Sequence, residues 1–287
     1  DMLLDLFGNT ASEPIRLQSR VEKWELKNVE AVYEKLCNDM NLMCLPEIKQ
    51  ALSQSQQTAR LDIQRSIIRS KSSQPIFRAL RYRSVLTEVN LAGNKLGIGV
   101  KESTSREDSS LNCMKELGNS LKTLSSLVKL NLSSNALLQQ HLEMFTKALC
   151  SQTNENIEIE NNELNVRELD LGFNFVGDES DTSIMTLFGV CPKLETLRLT
   201  SCGLSKQFFL RKYNEWENLF SKLNGSSIIN IDISHNPNME VIGIDKMLQL
   251  LNPNKVLSID ISKCTLSNDS KGNLGDAIFK YASRGRP

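Results

Sequence analysis

The feature that most constrains this chain is a pattern that returns in register seven times along its 287 residues. In "LTEVNLAGNKL" apolar side chains fill slots 1, 4, 6 and 11, and an Asn stands at slot 9: Leu86, Val89, Leu91, Leu96 and Asn94. "LVKLNLSSNAL" repeats this with Leu127, Leu130, Leu132, Asn135 and Leu137, and "VRELDLGFNFV" with Val166, Leu169, Leu171, Asn174 and Val176. "LETLRLTSCGL" and "VLSIDISKCTL" place Cys202 and Cys264 in the ninth slot. "IINIDISHNPN" keeps Ile228, Ile231, Ile233 and Asn236 but has the polar Asn238 last, and "TARLDIQRSII" is a degenerate first copy with Ser66 in slot 9. Seven copies in register mark an array, which is the first thing to establish in any chain, because overlooking it misassigns the whole fold.

The fourth slots, Leu61, Val89, Leu130, Leu169, Leu197, Ile231 and Ile259, are spaced by 28, 41, 39, 28, 34 and 28 residues. The unit is therefore 28 residues, lengthened by insertions at 101–112, 150–165 and 205–215. Between the copies the apolar period changes from two to that of a helix: Leu111, Met114, Leu117, Leu121; Leu142, Phe145, Leu149; Trp216, Leu219, Phe220, Leu223; Ile244, Met247, Leu248, Leu251. Strand followed by helix in each unit predicts an α/β leucine-rich-repeat solenoid. Slots 4 and 6 point into the core and slots 3, 5 and 7 point out. No unit closes a core alone, so stacking stabilises it. Helices are wider than strands, so the stack should curve into a horseshoe with a parallel sheet on the concave side and helices outside. The slot-9 Asn turns the chain, and its amide can satisfy backbone groups of neighbouring turns.

Residues 28–57 place Val29, Val32, Tyr33 and Leu36 on one helical face, and a second helix can follow Pro46. They read as a helical cap over the first repeat, with the array proper at 58–287. "LLDLF", Leu3–Phe7, admits two readings, a linear docking motif or part of a neighbouring folded module.

Chemistry is sparse. There is no phosphate-binding glycine loop, no H-E-x-x-H, and only two histidines, His141 and His235, neither in a catalytic or metal-ligand pattern. Seven scattered cysteines without a C-x-x-C pair read as buried thiols of a reducing, intracellular compartment. No catalytic residue, cofactor or metal site is expected, and no apolar run is long enough for a membrane span. Lys plus Arg and Asp plus Glu are 34 each, so no global field draws the chain to nucleic acid.

The outward columns carry the functional expectation. Slot 3 holds Arg60, Glu88, Lys129, Glu168, Thr196, Asn230 and Ser258; slot 5 holds Asp62, Asn90, Asn131, Asp170, Arg198, Asp232 and Asp260. Six carboxylates against three basic groups suit a helix or tail bearing Lys and Arg. The candidate contacts are Asp62, Glu88, Asn90, Lys129, Asn131, Glu168, Asp170, Arg198, Asp232 and Asp260, and the alternative is a merely hydrated sheet. In "KQFFLRKYNEW" the aromatics Phe208, Phe209 and Tyr213 either pack over the rim of the core or meet a partner. The acidic "TNENIEIENNELN" is a solvated loop or a strip for a basic partner.

The 28-residue unit looks like the ribonuclease-inhibitor type of repeat. "WELKNVEAVYEKLC", "IFRALRYRSVLTEVNLAGNKLG", "VRELDLGFNFVGD" and "CPKLETLRLTSCGLSKQFFL" together resemble the C-terminal part of Tonsoku-like proteins, over roughly residues 15 to 270. The last stretch is the most specific, because it includes an irregular insertion. By the same resemblance residues 1–27 look like the tail of a ubiquitin-like module. The resemblance implies a nuclear, non-enzymatic scaffold at damaged replication forks, acting in homologous recombination with a large helical partner subunit. It implies histone binding through other parts of the full-length protein. Ran-type GTPase-activating proteins and other ribonuclease-inhibitor-like binding modules share the repeat length and are the alternative.

Overall fold

The computed structural model describes residues 29–82, 85–99, 108–151, 163–223, 227–264 and 273–285. The expected ubiquitin-like remnant at 1–27, with Leu3–Phe7, lies outside these residues, as do 101–107 and 152–162 of the first two insertions.

Seven three-residue strands form one parallel sheet in sequence order: β1 (Arg60–Asp62), β2 (Glu88–Asn90), β3 (Lys129–Asn131), β4 (Glu168–Asp170), β5 (Thr196–Arg198), β6 (Asn230–Asp232) and β7 (Ser258–Asp260). Each strand occupies slots 3–5 of its copy, and the register joins like slots: Leu61 lies opposite Val89, Val89 opposite Leu130, and so on to Ile231 opposite Ile259. The insertions therefore leave the pairing intact. They are accommodated between strands, where an added length of chain costs little.

The helices are α1 (Val29–Asp39) and α2 (Pro46–Thr58) before the sheet, then α3 (Ser70–Leu80), α4 (Ser109–Leu121), α5 (Gln139–Cys150), α6 (Asp181–Val190), α7 (Gln207–Leu210), α8 (Tyr213–Lys222), α9 (Glu240–Leu250) and α10 (Leu274–Ser283). α1 buries Val29, Tyr33, Leu36 and Cys37, and α2 buries Ile48 and Leu52, and all six join the apolar core. α4 and α5 approach closely at Gly118, where a Cβ would come within 2.7 Å of the Phe145 carbonyl oxygen. Strands pack about 4.8 Å apart and helices about 10 Å apart, so the stack bends toward the sheet.

Between the layers runs one apolar core. Slots 4 and 6 are buried from Leu61 and Ile63 through to Ile231 and Ile233. Each such Leu or Ile contributes roughly 1.5–3 kcal/mol by leaving water. Ile259 and Ile261 of the last repeat are only half-buried, because β7 pairs on one side alone among the described strands.

The slot-9 asparagines bind consecutive turns together. Asn174 Nδ2 donates to Leu132 O (3.0 Å) in the preceding turn and Leu171 O (2.8 Å) in its own, and Oδ1 accepts from Asn135 N (3.0 Å) and Leu137 N (3.0 Å). Asn236 does the same one further on, accepting from Cys202 N and Leu204 N, both at 3.0 Å. Cys202 and Cys264 substitute with thiol donation to Leu171 O and Ile233 O, each at 3.3 Å.

Candidate partner-binding surface

The concave sheet brings all ten expected contact residues into two adjacent columns, because the register joins slot 3 to slot 3 and slot 5 to slot 5. Their electrostatics are more local than the column totals imply. Along slot 3, opposite charges alternate and pair across strands: Arg60 with Glu88 at 3.4 Å and Lys129 with Glu168 at 2.7 Å. These exposed pairs contribute little to stability, but they neutralise both glutamates. Thr196 is buried and accepts from Asn230 Nδ2 at 3.1 Å, so the column turns neutral toward the later repeats.

Slot 5 works differently. Its side chain folds back on its own strand end, accepting from the backbone N–H two residues on. Asp170 Oδ1 accepts from Gly172 N, Asp232 Oδ1 from Ser234 N and Asp260 Oδ1 from Ser262 N, each at 2.9 Å. Asp62, Asn90 and Asn131 make the same turn at 3.2, 3.2 and 3.0 Å. Asp and Asn suit this slot because a short side-chain oxygen reaches the next free amide. The second carboxylate oxygen also accepts in two of the aspartates: Asp232 Oδ2 from Thr200 Oγ1 at 2.7 Å and Asp62 Oδ2 from Gln64 Nε2 at 3.4 Å.

Arg198 interrupts this column. It lies between Asp170 and Asp232 in the register but makes no ion pair with either. Burial raises the Asp170 carboxyl above its ordinary range, Arg198 opposes that, and Asp232 adds to it. Asp260 is held below the usual range by its hydrogen bonds from Ser262. Beside Arg198 the sheet dips into a shallow cavity of ≈ 150 Å³, floored by Asn90, Asn131 and Asp170 and edged by Lys129 and Glu168. The cavity offers amides, carboxylates, the Lys129 ammonium and the Arg198 guanidinium to a ligand, at a spacing set by the strands.

The 205–215 insertion corrects one expectation. Phe208 (1% exposed) and Phe209 (4%) are not surface contacts; they enter the core with Phe188, Trp216 and Phe220. Phe208 and Phe209 stack edge-on at 4.9 Å, Phe209 and Trp216 lie 5.8 Å apart, and Trp216 Nε1 donates to Phe208 O at 3.2 Å. The longer turn leaves a space that only large rings fill. Arg211 and Lys212 anchor the insertion to the buried Asp181 carboxylate at 3.0 and 3.3 Å. Tyr213 is half-buried, donates to Gln249 Oε1 at 3.1 Å, and has Lys246 Nζ 4.4 Å from its ring centre.

The two histidines have different surroundings. His141 is buried at the start of α5; its Nδ1 accepts from Leu138 N at 2.9 Å, so Nε2 carries the proton and donates to Ser110 Oγ at 2.9 Å. Ser110 Oγ donates in turn to Asp108 Oδ1 at 2.7 Å. This Asp–Ser–His chain runs in the wrong order for a nucleophile, since the Ser proton goes to the carboxylate and both Ser110 and His141 are closed to solvent. Burial lowers the His141 pKa. His235 is exposed at a strand end. Burial pushes the thiols of Cys113, Cys191 and Cys202 up to about 12, which leaves them unreactive at neutral pH. Among the described residues no three His, Cys, Asp or Glu side chains come together as a metal site, and no helix is long and apolar enough to cross a membrane.

Sequence reasoning missed two features of the loop that follows each strand. Slot 8 is left-handed in every repeat: φ is 55° at Arg65, 70° at Gly93, 56° at Ser134, 57° at Phe173, 52° at Ser201, and 58° at His235 and Lys263. With a single glycine among the seven residues, no composition signal marks it. Phe173 and Phe175 are the second feature. They occupy unconstrained slots of a well-formed repeat, yet stand exposed.

Fold and surface together define a leucine-rich-repeat solenoid with an open, polar concave sheet and no catalytic constellation among the described residues. No protein-family model matches the chain. It is similar to Tonsoku-like protein of Mus musculus and to that of Bos taurus, each 26% identical over 266 residues, which is 93% of this chain and 18% of the relative. Tonsoku-like protein of Danio rerio is 22% identical over 190 residues, 66% of this chain and 12% of the relative. The chain thus spans less than one fifth of the length of the curated relatives it matches.

Proposed function

We propose that this chain is a non-enzymatic protein-interaction array of a nuclear replication-fork repair scaffold, and that its concave sheet docks a partner subunit. The similarity to Tonsoku-like protein over 93% of the chain supports the repair setting. By the resemblance stated above, the partner is the large helical subunit of the Tonsoku-like complex and the process is homologous recombination. Histones are engaged by other parts of the full-length protein.

The observation that carries the reading is the slot-5 column. Four aspartates, Asp62, Asp170, Asp232 and Asp260, face a single Arg198, while the slot-3 glutamates are already paired. A helix of the partner bearing Lys or Arg along one face meets net negative charge on a rigid, pre-ordered surface, which favours fast and selective encounter. Phosphate backbones would meet the same charge and be repelled, so nucleic acid is not the ligand of this face.

The test is co-purification of the chain with the helical partner, comparing the native protein with a variant in which the four aspartates are Asn. Asn keeps the oxygen that closes each strand-end turn and removes the charge, together with the second oxygen that accepts from Thr200 at Asp232 and from Gln64 at Asp62. Loss of co-purification with an unchanged melting temperature is the expected result. Undiminished co-purification would remove the concave face from the proposal.

A further inference from the structure

We propose that the loop edge of the fourth repeat is a second docking site, one that takes a short segment of a partner protein carrying an apolar side chain next to a Lys or Arg. It lies on the turns that follow the strands, apart from the concave column.

Phe173 occupies the left-handed slot 8 with φ 57°. Slot 8 of every repeat shares that conformation, at Arg65, Ser134, Ser201, His235 and Lys263 among others, so it belongs to the turn, and Phe173 stands out from them as a large apolar side chain. Phe173 is 56% exposed, and Phe175 two residues on is 73% exposed. Between them Asn174 turns inward to hold the ladder. The same slots in the flanking turns hold small residues: Ser134 and Ser201 beside Phe173, Ala136 and Gly203 beside Phe175. Both rings therefore stand above their neighbours. Leu138 extends the ridge: it bridges to Phe175 in the parallel sense, Phe175 N donates to Leu137 O at 2.9 Å, and Leu138 is itself exposed. Exposed apolar area gathered at one place, where the neighbouring turns carry small residues, points to a ligand.

The ligand's chemistry follows from the wall opposite. Phe175 and Leu138 border an open cavity of ≈ 360 Å³ lined also by Gln139, Gln140, Asp178 and Glu179, with no basic side chain among the described lining residues. Asp178 is engaged, accepting from Ser205 N at 2.7 Å and Ser205 Oγ at 2.5 Å. Glu179 is mostly exposed, and among the described residues its ion-pair partner is Arg211, at 3.8 Å. An apolar ridge facing an available carboxylate fits an aliphatic or aromatic anchor with an adjacent cation, which can also lie over an aromatic face. The carboxylates repel a phosphodiester chain, so the occupant is a protein segment.

The test selects short random peptides displayed on phage against the whole chain, then measures the enriched peptides by fluorescence anisotropy. Enriched sequences should pair an apolar residue with Lys or Arg. They should bind Phe175→Ser and Glu179→Lys at least about tenfold more weakly, and should bind the four-aspartate variant of the concave face as tightly as the native chain. Phe173→Gly should weaken binding while leaving the melting temperature unchanged or raised, since Gly suits the left-handed slot. The proposal is overturned if no peptide is enriched, if enriched peptides are acidic or ignore both substitutions, or if Phe173→Gly lowers the melting temperature. It is equally overturned if a single-stranded oligonucleotide binds and Phe175→Ser abolishes that binding.

Discussion

The four ladder asparagines form an internally controlled stability series. All are buried, and each donates through Nδ2 to one carbonyl of the preceding turn and one of its own. Replacing any of them with Ala loses that common part. They differ at Oδ1. Asn174 and Asn236 each accept two backbone N–H groups, Asn94 accepts one from Ile68 at 3.0 Å, and Asn135 Oδ1 accepts none. A buried N–H left without an acceptor costs roughly 1–3 kcal/mol. Beyond the common loss, Asn174→Ala and Asn236→Ala should therefore cost roughly 2–6 kcal/mol, Asn94→Ala roughly half of that, and Asn135→Ala nothing further. The carbonyls do not change this order: Leu132 O keeps its bond from Asn135 Nδ2 and Leu171 O its bond from Cys202 Sγ when Asn174 is lost. Equilibrium urea denaturation of the four variants, followed by circular dichroism, measures the series. Equal losses at all four positions, or a loss below about 1 kcal/mol at Asn174, would refute the assignment of the ladder's energy to the acceptor side.

Three further outcomes follow from the same structure. Leu130→Ala or Leu169→Ala should cost about 2–5 kcal/mol by urea denaturation through lost burial and a cavity; a loss below about 1 kcal/mol at both would remove slot 4 from the core. Phe208→Ala should cost about 3–5 kcal/mol, whereas Phe175→Ser should leave the melting temperature unchanged, a contrast that a thermal melt of the two variants reads directly. His141 has a folded pKa below its unfolded value, so the unfolded chain binds the extra proton: its contribution is complete above about pH 6.5 and erodes as pH falls from there through the folded pKa. The melting temperature should then fall from neutral pH toward pH ~5.5, and His141→Asn should reduce that slope.

The repeat carried the fold because two periods overlap in it. Slots 4 and 6 had to be inward once the strand was assigned, and the recurring Asn had no better use than joining turns. Direction is what periodicity does not encode outside the template. The aromatic density at Phe208 and Phe209 is compatible with packing on the core or with a partner contact, and the space left by the longer turn decides it. Phe173 and Phe175 sit in slots the template leaves open, so nothing marked them until the small residues on either side were brought alongside. Charge was legible by composition but not by effect. The slot-3 glutamates count toward an acidic face in sequence and are neutralised in space by Arg60 and Lys129 one strand away.

The central claim is that the charge of the slot-5 aspartates guides a basic partner onto the concave sheet. Its most direct test is the salt dependence of affinity for the helical partner, measured by titration for the native chain and for the variant with Asn at 62, 170, 232 and 260. The expected result is weaker binding by the variant at low salt, a shallower fall in affinity as salt rises, and convergence of the two proteins at high salt, where charges are screened over about 3 Å at 1 M. Parallel salt curves of equal affinity would contradict it.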